Sequence, residues 1–232
     1  MRRIMDGLYR LESGGFVNSY LIEGVSDLTL VDSGHSRAAR ALLGELKDNG
    51  FQVRDIGRVV LTHTHADHVG GLAALLDRHP VKIFAHPKEI PILQGKQLAK
   101  PLKGIRGFIS EFVQEHWFPW PPVEAVFPLE PGSPVRGLSQ WQVLLTPGHT
   151  AGSVSLFNPA KQVLICGDSI SNLRGRLQLP AACYNASNSA LRRTIEELAK
   201  LDTDILCPGH GPVLRGGAFR YIEALQARRR SS

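Results

Sequence analysis

Cysteine is scarce in this chain. Cys166, Cys183 and Cys207 are the only three, an odd number with no CxxC spacing. That excludes the disulfide framework of small secreted domains and fits a reducing compartment, so the expected location is cytoplasmic. Long apolar runs are missing too. Nowhere do about 18 consecutive apolar residues occur, the length a helix needs to cross a bilayer. The opening MRRIMDGLYRLESGG carries positive charge but no uninterrupted apolar stretch. Neither a membrane span nor a secretion signal is therefore expected. The body also lacks a surplus of either charge. The net charge is +6, and setting aside Arg2, Arg3, Arg228, Arg229 and Arg230 at the extreme ends leaves +1. The basic ends read as frayed, solvated tails, and the near-neutral body offers no phosphate-binding face for nucleic acid.

What remains is enough for a substantial core: 232 residues, 43% of them hydrophobic. GLYRLE, NSYLIEG and DLTLVDSG read as short strands. SRAARALLGELKDNG places Ala39, Leu42, Leu43 and Leu46 at helical spacing and closes on Gly50. RVVL and VKIFAH read as strands around a helix at GGLAALLDRHP. Strand–helix alternation makes the class α/β. Residues 87–135 break the rhythm with many prolines and the aromatics Trp117, Phe118 and Trp120. They read as an insertion or lid within a single domain spanning 1–232. The pattern then resumes with a strand in WQVLLTPGHT, a hairpin from SVSLFNP and QVLICGDS, and a helix capped by Ser187 or Asn188. A strand at TDILCPGHGPV and a last helix at GAFRYIEALQARRR follow.

Strand ends carry the chemistry. LTHTHADHVGG, residues 61–71, sets His63, His65, Asp67 and His68 within six positions. On an extended backbone the first three point to one side, because the side-chain period is two. His68 faces the other way, so the chain must turn there. Four ligands in so short an arc crowd a single ion, and a pair of ions resolves the geometry. LLTPGHT supplies His149, LICGDS Asp168 and ILCPGH His210, each after an apolar strand and flanked by glycine. Imidazole with carboxylate is a donor set for zinc, iron or manganese.

HxHxDH at 63–68, PGHT at 147–150, GD at 167–168 and PGHG at 208–211 resemble the metallo-β-lactamase fold superfamily, especially its glyoxalase II-like and lactonase-like branches. The resemblance spans roughly residues 8–215 and leaves the insertion unexplained. It implies an αββα sandwich, two mixed β-sheets face to face with helices outside. It assigns His63, His65 and His149 to one metal and Asp67, His68 and His210 to the other, with Asp168 bridging. Asp32, at the end of the DLTLVDSG strand, is by the same resemblance a carboxylate behind the ligands; an Asx turn is the competing reading. His35, His79, His86 and His116 are read as structural, and Cys166 and Cys207 as small buried hydrophobes.

Two divalent cations, zinc first with iron or manganese as alternatives, lower the pKa of a bridging water toward about 7. The resulting hydroxide attacks an acyl carbonyl, which makes the expected activity a hydrolase of an ester, lactone or thioester. Asp67 relays a proton to the leaving group, Tyr184 is a candidate donor to the carbonyl, and Ser169 has no catalytic part. Glyoxalase II proper adds a C-terminal helical region, whereas 22 residues follow His210 here. The expected partner is a small acyl substrate; no membrane or nucleic acid is expected, and homo-oligomerisation is open. Two other readings stay open. A mononuclear iron persulfide dioxygenase would leave His68 and His210 idle. An RNA-processing phosphodiesterase of the same fold would need a basic track to the metals.

Overall fold

The structure, a computed structural model, describes residues 1–98, 104–105 and 119–230. His116, Trp117 and Phe118 lie outside the described residues. Two compact units divide the chain, Met1–Leu129 and Glu130–Ser232. Each carries a sheet of mixed strand direction with helices, which bears out the α/β class. No helix among the described residues is long and apolar enough to cross a membrane.

In the first unit seven strands pair in chain order: β1 (Arg2–Met5), β2 (Leu8–Leu11), β3 (Ser19–Glu23), β4 (Leu28–Val31), β5 (Ile56–Val60), β6 (Lys82–Ala85) and β7 (Val126–Pro128). The first four form an antiparallel meander, and β4 to β7 run parallel. Parallel neighbours need a crossover. Helix α1 (Ala39–Asp48) supplies the one between β4 and β5, and the short α2 (Ala66–Val69) and α3 (Leu72–Leu76) supply the next. Leu42, Leu43 and Leu46 fall on one face of α1 and pack with Leu72, Leu75, Val59 and Ile83 in a single apolar core. The helix stops where Gly50 takes φ 85°, a left-handed turn that glycine adopts without steric cost.

Register in the parallel part positions the chemistry. Val31 lies opposite Val60, and Val60 opposite Phe84. The segments that follow β4, β5 and β6 therefore leave the sheet side by side, bringing Asp32, Thr62–His68 and Glu89 to one edge.

Two expectations are corrected. Arg2 and Arg3 do not fray: they belong to β1, where Arg2 pairs with Arg10 and Arg3 with Tyr9. At the other end the backbone is helical through Arg230. Backbone pairing, which charge counting does not register, orders both ends. The irregular stretch at 87–135 also contains regular structure, α4 (Ile90–Leu93) and β7. Leu93 and Val123 are buried there, and Trp120 packs against the first unit's core. Its prolines are compatible with this: Pro91 lies in the first turn of α4, and Pro128 ends the outermost strand.

The second unit contains β8 (Pro134–Val135), β9 (Leu138–Leu145), β10 (Val154–Asn158), β11 (Val163–Gly167), the hairpin β12 (Ser171–Leu173) and β13 (Arg176–Gln178), and β14 (Ile205–Pro208). Its five-stranded sheet runs β14-β11-β10-β9-β8. β10 and β11 form the expected hairpin, and β11 pairs with β14 in parallel. Helices α5 (Asn188–Leu198) and α6 (Ala218–Arg230) place Ile195, Leu198, Ile222 and Leu225 against Leu164, Cys166 and Leu206. Ser187 caps α5, its hydroxyl accepting from Ala190 N. Gly167 lies opposite Pro208, so Asp168 and His210 follow neighbouring strand ends.

Candidate metal centre

The first unit gathers four of the expected ligands where the chain leaves β5. His63 is buried; its Nε2 stands 3.1 Å from His65 Nδ1, and its Nδ1 stands 3.0 Å from Thr62 Oγ1. Beyond His65 the chain turns into α2, with His68 N and Val69 N both donating to His65 O. That turn brings His68 around, as the change of side at position 68 requires. His68 Nε2 lies 3.8 Å from Asp67 Oδ2.

Behind these ligands sits Asp32, 2% exposed. Its carboxylate accepts from Thr62 N at 2.8 Å, from Thr62 Oγ1 at 2.7 Å and from His68 Nδ1 at 2.8 Å. The proton positions follow. A carboxylate only accepts, so His68 carries its proton on Nδ1 and keeps the Nε2 lone pair. Thr62 spends its own hydrogen on Asp32, so its oxygen accepts from His63 Nδ1–H, and His63 also keeps Nε2 free of a proton. One carboxylate therefore orients two imidazoles in the tautomer that binds a cation. The bonds of Asp32 reach Thr62 and His68 rather than closing an Asx turn.

The glycines after His68 are explained by proximity. A Cβ on Gly71 would stand 2.1 Å from Ser33 O, and one on Gly70 would stand 2.5 Å from Ser36 N. Only bare backbone lets the ligand turn pack against the segment after Asp32, where Ser33 N donates to His68 O at 2.7 Å.

The other three expected ligands lie in the second unit. His149 follows β9, and its Nδ1 lies 3.2 Å from Asn185 Oδ1. Asn185 spends its amide hydrogens on Pro180 O and Asn188 Oδ1, so its oxygen accepts from His149 Nδ1–H and Nε2 again keeps its lone pair. Asp168 Oδ2 lies 3.5 Å from His149 Nε2 and 3.2 Å from His210 Nε2. Gly211 is pressed against β12, where a Cβ would stand 1.8 Å from Asn172 O. Asn172 N in turn donates to His210 O at 3.0 Å, fixing the backbone that carries the last histidine.

These spacings test the donor set. Two ligands of one tetrahedral zinc, each bonded at ~2.0–2.1 Å, stand roughly 3.3 Å apart. The four pairs above, at 3.1, 3.8, 3.5 and 3.2 Å, match that spacing. The residues present fit divalent metal ions.

The remaining sequence expectations sort simply. His35 accepts from Ala38 N and stacks on Phe16; burial pushes its imidazole below the ordinary value, with the Asp67 carboxylate acting in the opposite direction. His86 Nδ1 accepts from Lys88 N. Neither these two nor His79 joins a group of potential ligands among the described residues. Cys166 and Cys207 are buried, and burial pushes the Cys166 thiol up to about 12. Tyr184 is half-buried in the turn Ala182–Tyr184, on the loop that carries Asn185. Three functional residues escape a reading by spacing. Thr62 and Asn185 orient histidines. Glu89, 2% exposed, accepts from Thr64 N at 3.0 Å and Thr64 Oγ1 at 2.5 Å, pinning the turn between His63 and His65. For Glu89 the available signal is a carboxylate just past a buried strand.

Comparison with known proteins gives the family. A family model described as the metallo-beta-lactamase superfamily matches residues 13–210. "Probable metallo-hydrolase YflN" of Bacillus subtilis (strain 168) is 30% identical over 93% of this chain and 88% of its own length. A hydroxyacylglutathione hydrolase of Pectobacterium atrosepticum is 26% identical over 66% of this chain and 47% of its own length. Among solved structures, TTHA1623 in a di-iron-bound form superposes with a TM-score of 0.67 at 28% identity, over 91% of this chain and 92% of that one.

Proposed function

This chain belongs to the metallo-β-lactamase superfamily and to its metallo-hydrolases, and from that premise we propose that it cleaves an ester, lactone or thioester with a pair of divalent metal ions. His63, His65 and His149 would hold one ion; Asp67, His68 and His210 would hold the other; Asp168 would be shared. The observation that carries the reading is the position of Asp168 Oδ2, 3.5 Å from His149 Nε2 and 3.2 Å from His210 Nε2. One carboxylate oxygen is within co-ligand reach of two histidines that the family pattern gives to different ions.

When bound, the ions supply Lewis acidity, acidifying water and polarising an acyl carbonyl. The chain supplies the rest. Asp32 and Asn185 hold the imidazole tautomers. Asp67, the one carboxylate on the ligand turn that is half-buried rather than sequestered, takes up the proton released by the attacking water and passes it to the departing alkoxide or thiolate. Tyr184, on the Asn185 loop, donates its hydroxyl to the substrate carbonyl. Zinc suits the imidazole-rich set, and the di-iron relative keeps iron as the alternative. The partner is a small acyl compound, a thioester being favoured by the hydroxyacylglutathione hydrolase relative. The cytoplasm is the compartment that suits three free thiols.

Elemental analysis of the purified protein, paired with lactone, thioester, phosphodiester and β-lactam substrates, tests this. Two ions per chain and turnover confined to the lactone and thioester substrates are expected. Asp168→Ala should lose turnover and retain at most one ion; full activity in that variant refutes the shared ligand.

A further inference from the structure

Four side chains of the first unit meet at a single atom. Thr62 Oγ1 donates to Asp32 Oδ2 at 2.7 Å and stands 3.0 Å from His63 Nδ1, while His68 Nδ1 donates to the same Oδ2 at 2.8 Å. The other carboxylate oxygen, Oδ1, takes the Thr62 amide at 2.8 Å. All four residues are buried, so water does not level these interactions. In such a site hydrogen bonds polarise one another, and bonds in series, here His63 to Thr62 to Asp32, strengthen together. Two donors on one oxygen do the opposite, because both draw on the same charge. The competing donors at Oδ2 are the Thr62 hydroxyl, which serves His63, and His68.

We propose that Asp32 Oδ2 couples the two metal positions antagonistically through the Thr62 hydroxyl, each ion weakening the hold on the other. The inference rests on the two-ion reading, in which His63 and His68 serve different ions. A cation on His68 Nε2 makes Nδ1–H a stronger donor and draws charge from Oδ2. The bond from Thr62 slackens, its oxygen becomes a poorer acceptor for His63 Nδ1–H, and His63 Nε2 becomes a weaker ligand. The path also runs in reverse, because a coupling free energy is reciprocal. Thr62 is a positioning residue that acts through His63.

Zinc affinities of the full-length protein, measured by competition with a chromophoric chelator in two backgrounds, provide the test. His210→Ala weakens the position of Asp67 and His68 and leaves the histidine set intact; His65→Ala does the reverse. Thr62→Val removes the hydroxyl but keeps the amide bond to Asp32. In the His210→Ala background it should lower affinity about 10- to 100-fold, as loss of a partner behind a ligating histidine does. In the His65→Ala background it should leave affinity unchanged or raise it, since His68 then has Oδ2 to itself. Thr62→Ser, which keeps the hydroxyl, should restore the parent values in both. An equal loss in both backgrounds would mark Thr62 as merely structural and overturn the proposal, as would no loss in the first or a serine variant that behaves like valine. If the valine variant does not fold, proton spectra of the parent decide: one equivalent of zinc should shift the Nδ1 proton resonances of both His63 and His68, and a shift confined to one of them overturns the coupling. A parent protein that holds one ion at saturation sinks the two-ion reading itself, an outcome distinct from two ions held independently, which sinks the coupling alone.

Discussion

Asp32 holds a left-handed backbone, φ 58°, a conformation that costs a non-glycine residue of order 1 kcal/mol or more. Its three hydrogen bonds and the bond from its own amide to Val60 O over-determine it. Asparagine tolerates the same backbone, which makes Asp32→Asn an informative variant: the conformation survives and the charge is lost. Metal affinity should fall about 10- to 100-fold, the usual effect of removing such a partner, as measured by competition with a chromophoric chelator; unchanged affinity would mean that the carboxylate only shapes the loop. Thiol chemistry offers a second check. With Cys166 pushed up to about 12 and buried, a thiol reagent on the native protein should modify Cys183 before Cys166 or Cys207, as read by peptide mass mapping. The grouping of His63, His65, Asp67 and His68 was legible because HxHxDH encodes its geometry in local spacing. Thr62, Glu89 and Asn185 were not, because their partners arise from the register of neighbouring strands and from a loop docking on its neighbour.

Among the elements, those with local signals were readable: α1 closes on Gly50, α5 begins at Ser187, and β10–β11 is a hairpin. Strands β1 and β7 were hidden, since arginines and prolines argue against strands and only pairing with β2 and β6 overrides that. Helix α1 does more than bury leucines. Glu45 accepts from Glu12 N at 2.9 and 3.0 Å and from Ser13 N at 2.8 Å, and it pairs with the Met1 ammonium. Burial alone would raise this carboxyl, but the ammonium and the amide donors together hold it below its ordinary value of 4.5. A carboxyl depressed on folding adds stability above its unfolded value and loses it as pH falls through the folded one. Glu45→Gln should therefore cost about 1–3 kcal/mol near neutrality, and the gap to the parent protein should narrow steadily in urea melts as the pH falls below the ordinary carboxyl value of 4.5. A constant gap across that range would show that the charge is irrelevant.

At the scale of the molecule, alternation of strand and helix announced the class, and two apolar clusters, one in each unit, realise it. The terminal charge was harder to place. β1 is the outermost strand of its sheet, and Arg2 and Arg3 are exposed along it. An outermost strand offers unsatisfied amides and carbonyls to any passing chain, and long charged side chains along it, here ion-paired with Glu12 and Asp6, disfavour such edge-to-edge stacking. Replacing both arginines with threonine should preserve the circular dichroism spectrum yet raise light scattering steadily in concentrated solution; a clear solution over days would contradict this. On the expected outcome the residues that resemble a loose end would be gatekeepers, protecting the colloidal integrity of a protein whose body carries almost no net charge.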